Sequence, residues 1–258
     1  MLAFLHYSNT DNVGDKYSAP YHYFDFGKYN VIDIKRIHSI IPYKAAIWGG
    51  GAIAGNILHH KLLNRLNCNT HIGWGFGRTV RKKSVESYKK AFLYPATFYF
   101  MGIRDYVAPL PEKAQFLPCV SCMHKAFDVD YPLKRKYSGF FNASKPVPRL
   151  ARQDMRRSAV KLNDIGIEEA IEHLGSCQTV ITNSYHGAYW GLLLGKGVIV
   201  LHPYSSKFYQ LKWKVHYSFA QELKQVRQIH GAANLDVLRE CRKLNRQFYD
   251  KVLKVLND

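Results

Sequence analysis

The chain has 258 residues, of which 47% are hydrophobic and 14% aromatic. That apolar content fills a core, which excludes a disordered protein and suits one large or two small domains. With 37 Lys and Arg against 19 Asp and Glu, the net charge is +18, which attracts nucleic acid, an anionic membrane surface or a phosphorylated substrate without choosing among them.

Short apolar runs alternate with helical stretches from the start. Ala3–Tyr7 reads as a first strand, followed by the polar loop NTDNVGD, in which Asn12, Gly14 and Asp15 can line a crevice or form an Asx-rich turn. Tyr43–Trp48 reads as a buried strand running into Gly49, Gly50 and Gly51, and residues Ile53 to Leu66 carry helical apolar spacing. His71–Trp74 and Phe98–Ile103 are further strands. Their ends carry the loops GWGFGR, with Trp74 and Arg78, and GIRD, with Arg104. Either arginine can grip a phosphate or carboxylate. This alternation predicts an α/β fold with parallel sheets.

Between about Asp128 and Ala151 the chain loosens, with Pro132, Pro146 and Pro148 among clustered basic residues, and the lobe boundary is expected here. Lys136–Asn142 can open a second lobe. There Ile167–Leu174 reads as a helix, Gln178–Thr182 as a strand, Asn183–Gly187 as a sharp polar turn, Ala188–Leu194 as an apolar helix and Gly197–Leu201 as a strand. Leu235 to Leu256 has the spacing of a long amphipathic helix.

The strand–turn–helix ITNSYHGAYWGLLLGKGVIV is the strongest constellation. Open α/β sheets bind ligands at the carboxyl ends of their strands, and a helix opening suits an anion. His186 sits at that mouth, where an imidazole moves protons near neutral pH. Gly187 follows it, and Lys207, beyond the next strand, can face the same pocket.

Five cysteines, an odd count, are no disulfide framework. Cys119, Cys122 and His124 have local metal-like spacing but no second pair, so they are expected to be structural rather than zinc-binding. The first residues lack a basic n-region, and the longest apolar stretch, Gly187 to Leu201, is interrupted by Lys196. The expectation is a reduced, cytoplasmic protein whose charge leaves room for peripheral contact with the inner face of the plasma membrane. No helix-turn-helix, zinc-finger or RNP-type signature accompanies the charge, which sets nucleic acid aside.

Taken in order, NTDNVGD, WGGGA, GWGFG, GIRD and SYHGAYWGLLLGK, spanning about Asn9 to Lys207, resemble the polysaccharide pyruvyl transferases. The resemblance implies two Rossmann-like lobes facing a central cleft, of the glycosyltransferase-B type. Residues 1–130 would form the acceptor side and residues 131–258 the donor side with a C-terminal helix. It also implies transfer of pyruvate from phosphoenolpyruvate to two sugar hydroxyls as a ketal, in exopolysaccharide, capsule or cell-wall polymer synthesis.

On that basis His186 and Asp15 are the expected catalytic residues. Ser184, Tyr185, Gly187, Lys207, Arg104 and Arg78 would hold the donor, and Asn12, Gly14, Gly50, Gly51 and Trp74 would lie on acceptor-side loops. No metal or further cofactor is required, and the expected partners are phosphoenolpyruvate and a saccharide acceptor, for which a lipid-linked form fits the charge. The family pattern at the second turn is serine, arginine, any residue, histidine, glycine. Here Asn183 and Ser184 stand at the serine and arginine positions. Either Lys207, Arg104 or Arg78 replaces that arginine, or the donor differs. A glycosyltransferase using a nucleotide-sugar donor and a non-catalytic polysaccharide- or membrane-surface-binding protein are the alternatives.

Overall fold

A computed structural model describes residues 1–37, 39–59, 62–79, 98–106, 110, 112–153, 155–220 and 236–257. It is an α/β protein built on two parallel sheets. The first has the order β2-β1-β4-β6-β7-β8, from β1 (Leu2–His6), β2 (Tyr29–Asp33), β4 (Ala45–Gly49), β6 (His71–Phe76), β7 (Phe98–Ile103) and β8 (Ala114–Phe116). The second has the order β10-β9-β11-β12-β13, from β9 (Arg135–Phe141), β10 (Val160–Leu162), β11 (Cys177–Thr182), β12 (Gly197–Leu201) and β13 (His216–Ser218). A two-stranded pair, β3 (Ser39–Tyr43) and β5 (Leu66–Cys68), stands apart. Every pairing in the two large sheets is parallel.

Central strands β1, β4 and β12 are buried at all five positions. A strand covered on both faces reads as a continuous apolar run, which is why these stand out in the sequence. In the first sheet the chain passes from β1 outward to β2 and then returns to β4 on the other side. The second sheet repeats the manoeuvre with β9, β10 and β11. Each sheet therefore has a switch point, where neighbouring connections leave in opposite directions and open a crevice.

Several elements differ from expectation. The helix expected over residues 53–66 is α2 (Ala54–His59); Leu62–Arg65 is a 3-10 turn and β5 begins at Leu66. The strand expected over His71–Trp74 continues to Phe76 because β7 keeps pairing with it as far as Phe76 and Ile103. Trp74 is therefore a fully buried strand residue rather than a loop residue. The polar turn expected over Asn183–Gly187 is shorter, since the helix α5 (Tyr185–Leu193) starts at Tyr185. All nine of its residues are buried, so polar Tyr185 and His186 are inside the first turn.

The final helix, α6 (Asp236–Asn257), touches both cores. Val237 and Cys241 pack with Cys119, Tyr189 and Leu193 against the second sheet. Phe248, Val252 and Leu256 pack with Leu2, Phe4, Trp74 and Phe100 against the first. Asn245, fully buried between these two stripes, accepts from Trp74 Nε1 (3.0 Å) and donates to the carbonyls of Pro118 (3.2 Å) and Cys241 (3.0 Å). Asn245→Leu would strand the indole N–H and the Pro118 carbonyl, each costing about 1–3 kcal/mol. Denaturant unfolding is expected to show a loss of that order, partly recovered in a double variant with Trp74→Phe. An unchanged midpoint would contradict this role.

Candidate active site

A pocket of about 780 Å³ opens where the two switch points face each other. Its walls all follow the carboxyl ends of strands. Tyr7, Asn12 and Asp15 come after β1, Lys35 after β2, Ala52 after β4, Thr79 after β6 and Arg104 after β7. From the second sheet come Asn142 and Ser144 after β9, Asn163 after β10, Ser184 to His186 after β11 and Lys207 after β12.

Asn12 holds this junction. Its side-chain oxygen caps the short helix α1 (Val13–Lys16) by accepting from Gly14 N–H (3.2 Å) and also accepts from Asn163 Nδ2 across the pocket (2.8 Å). Its amide donates to Asp15 Oδ2 (2.7 Å), and Val13 N–H donates to the Asn163 carbonyl (2.8 Å). Burial pushes the Asp15 carboxyl up, against the opposing pull of Arg104, Lys207, the Asn12 amide and Lys35.

His186 is 3% exposed. Burial above all, and then the positive charges of Arg104 and Lys207, hold its pKa well below the usual value, so the resting ring is neutral. A chain of hydrogen bonds runs behind the ring. Trp190 Nε1 can only donate, and it donates to Ser121 Oγ (2.9 Å). Ser121 in turn gives its one hydroxyl proton to Cys119 Sγ (3.3 Å). Cys119, whose burial keeps it a thiol, has one proton left, and His186 Nε2 lies 3.6 Å away. Nδ1 is beside Gly14, whose backbone comes so close that an added Cβ would stand 1.9 Å from that nitrogen.

Arg104 is 3% exposed, and its guanidinium carbon lies 3.9 Å from the Tyr185 ring centroid. Its Nε and Nη1 are buried without a hydrogen-bond partner. Such a cation is costly unless something satisfies it. Lys207 donates to Tyr204 Oη (3.1 Å), and its pKa is lowered to about 8 by burial first and then by Arg104. Neutral imidazole, buried guanidinium, a lysine with a softened charge and an oriented carboxylate are thus the reactive groups. They can bind a multiply charged anion and move a proton beside it.

The remaining expected residues have other placements. Ser184 and Tyr185 line the pocket. Gly50, at φ +72°, takes a backbone closed to most side chains, and a Cβ there would meet Ser18. A Cβ on Gly51 would stand 3.2 Å from Asp15 Oδ1, so this loop backs the carboxylate. Gly187 faces Thr182 and Phe140, letting α5 pack closely on its sheet, and is not a wall. Trp74 bonds to α6, away from the pocket. Arg78 uses its backbone N–H to bind Asp105 Oδ2 (2.7 Å), and Thr79 beside it is the lining residue. Cys119 and Cys122 are free thiols. Among the described residues no three His, Cys, Asp or Glu side chains are placed to share a metal ion. Sequence reasoning missed Asn163, Asn142 and Lys35. Their only available signal was a position just after a strand.

No protein-family model matches the chain, and no curated protein matches it. Among solved structures it resembles a functionally uncharacterised protein of Klebsiella pneumoniae subsp. pneumoniae NTUH-K2044, with a TM-score of 0.54 at 16% identity, over 84% of this chain and 93% of that one. That likeness supports the α/β fold. Among the described residues no helix is long and apolar enough to cross a membrane.

Proposed function

We propose that this chain is a polysaccharide pyruvyl transferase. Its two Rossmann-like lobes, residues 1–130 and 131–258, meet at the first pocket in the glycosyltransferase-B manner. The observation that carries the reading is the buried Arg104 guanidinium, whose Nε and Nη1 have no hydrogen-bond partner, beside Lys207 and His186. Phosphoenolpyruvate brings both a phosphate and a carboxylate to such a pair of cations. Arg104, stacked on Tyr185, then supplies the positive charge that Ser184 does not.

The neutral state of His186 fits a donor-triggered acid. Burial first, and then Arg104 and Lys207, depress its pKa in the empty site, and an anionic donor offsets the two charges, which favours protonation of the ring as the donor binds. The imidazolium gives that proton to the methylene carbon of phosphoenolpyruvate, leaving a cation at C2. A sugar hydroxyl adds to C2, with its proton passing to Asp15. Phosphate leaves with the C2–O bonding pair, stabilised by Arg104 and Lys207, and a second hydroxyl closes the ketal as its proton departs to phosphate or solvent. The reaction is at the cytoplasmic face of the plasma membrane, consistent with the basic surface.

Thermal unfolding tests the reading, because a ligand that binds the native state raises its stability. Phosphoenolpyruvate is expected to raise the melting temperature of wild type. The shift should disappear in Arg104→Gln and weaken in His186→Ala. A shift with a nucleotide sugar and none with phosphoenolpyruvate would instead indicate glycosyl transfer. Binding of saccharide alone, with no turnover lost in His186→Ala, would indicate a non-catalytic binding protein.

A further inference from the structure

A second pocket, of about 720 Å³, adjoins the first. Thr79 lines both, and the segment after β9 runs from one into the other. Asn142 and Ser144 face the first pocket, while Lys145 to Arg149 wall the second. Asn183, next to Ser184 of the first pocket, completes the join. The two spaces are therefore contiguous along one strand-end surface.

Their chemistry differs. The first pocket mixes carboxylates (Asp11, Asp15, Asp164) with its cations, as suits hydroxyl-rich sugars. Among its described residues the second has Lys145, Arg149, Arg152 and His202 and no carboxylate. Unopposed cations call for a multiply charged anion. Arg149 Nε is held by Gln153 Oε1 (2.5 Å), and Lys145 lies over the Tyr204 ring, 5.4 Å from its centroid, so two of the cations are partly ordered before any ligand arrives. The same lining also carries an apolar wall of Pro146, Val147, Pro148 and Leu201. His202 is held at φ 45°, a left-handed backbone that is costly for a residue with a Cβ, at the point where β12 turns into this pocket.

We propose that the second pocket binds the diphosphate of a glycosyl diphosphate ester whose sugar lies in the first pocket. The acceptor is then an activated saccharide, not a free polymer. The apolar wall receives the first part of whatever the diphosphate is esterified to, either a polyprenyl chain or a nucleoside. This rests on the pyruvyl-transfer reading of the first pocket for the sugar's fate, but the diphosphate site can be tested without it.

Inorganic pyrophosphate, uridine diphosphate and farnesyl diphosphate are titrated calorimetrically into wild type, the Arg149→Ala/Arg152→Ala double variant and Arg104→Gln. Both substituted residues of the double variant are charged and lie toward solvent, so the variant is expected to fold. Pyrophosphate affinity should fall at least about tenfold in the double variant and hold in Arg104→Gln, with phosphoenolpyruvate showing the reverse pattern. Pyrophosphate binding that ignores the double variant, or that follows Arg104, overturns the proposal. Farnesyl diphosphate binding more tightly than pyrophosphate assigns a lipid-borne acceptor, and uridine diphosphate binding more tightly assigns a nucleotide-borne one. If neither gains over pyrophosphate, the apolar wall binds no ester and the proposal fails. Failure of phosphoenolpyruvate to bind any form would remove the reading of the first pocket while leaving the pyrophosphate comparison intact.

Discussion

Gly14→Ala is expected to reduce turnover by about a hundredfold, the scale of a reactive group displaced by roughly an ångström. The new methyl would stand 1.9 Å from His186 Nδ1 and 2.2 Å from Cγ, and one of the two must move. The imidazole is bounded by Tyr185, Trp190 and Cys119. The Gly14 backbone is bound to the Asn12 side chain, and its neighbour Val13 to Asn163. If the ring turns, it loses its contact with the Cys119 thiol. If α1 recedes, the Asn12–Asn163 link opens and takes Asp15 with it. Overpacking of this kind also costs about 1–3 kcal/mol of stability. Phosphoenolpyruvate-dependent phosphate release and denaturant unfolding measure both effects. A Gly14→Ala protein with wild-type turnover would show that His186 and α1 do not act together.

Donor affinity is expected to decline as pH rises through about 8, where Lys207 loses its proton in the free protein. An anion beside Lys207 favours its charged form, so the bound lysine titrates higher than the free one. Above pH 8 binding therefore requires proton uptake, and affinity falls by up to about tenfold per pH unit until the bound lysine also titrates. Lys207→Met should bind more weakly at neutral pH and lose the added decline that Lys207 contributes above about pH 8. The ligand-free protein shows the opposite trend. Its folded-state lysine pKa lies below the unfolded value, so the unfolded chain holds more protons above pH 8 and stability rises from there toward the ordinary lysine range. Lys207→Met removes that rise. A wild-type dissociation constant that is constant across this window would separate Lys207 from the donor.

Much of the architecture was legible because parallel strands buried on both faces write themselves as apolar runs: Phe98–Ile103 and Gly197–Leu201 match residue for residue. Edge strands β8, β10 and β13 have three residues each, and these and β2 have no buried position, so they carry neither a continuous run nor a clean alternation. The placement of His186, Arg104, Lys207 and Asp15 around one pocket followed from a single rule, that strand ends gather ligands. Roles that depend on distant partners were not legible. Cys119 meets His186 across 67 positions, and Asn163 meets Asn12 across 151. Trp74 looked like a loop residue because a strand rich in glycine resembles a turn, and the pairing that extends it belongs to β7. Gly187 looked like a place for a ligand to approach, whereas the group that approaches is the side chain of Thr182.

The route of α6 bears on how the molecule is made. The first sheet is synthesised well before α6, so the apolar face of that sheet that receives Phe248, Val252 and Leu256 stays uncovered until α6 follows. Until then the nascent first sheet has an incomplete layer, a state prone to aggregation. A fragment of residues 1–130 should inherit the same exposed face and require the α6 peptide, supplied in trans, to become soluble.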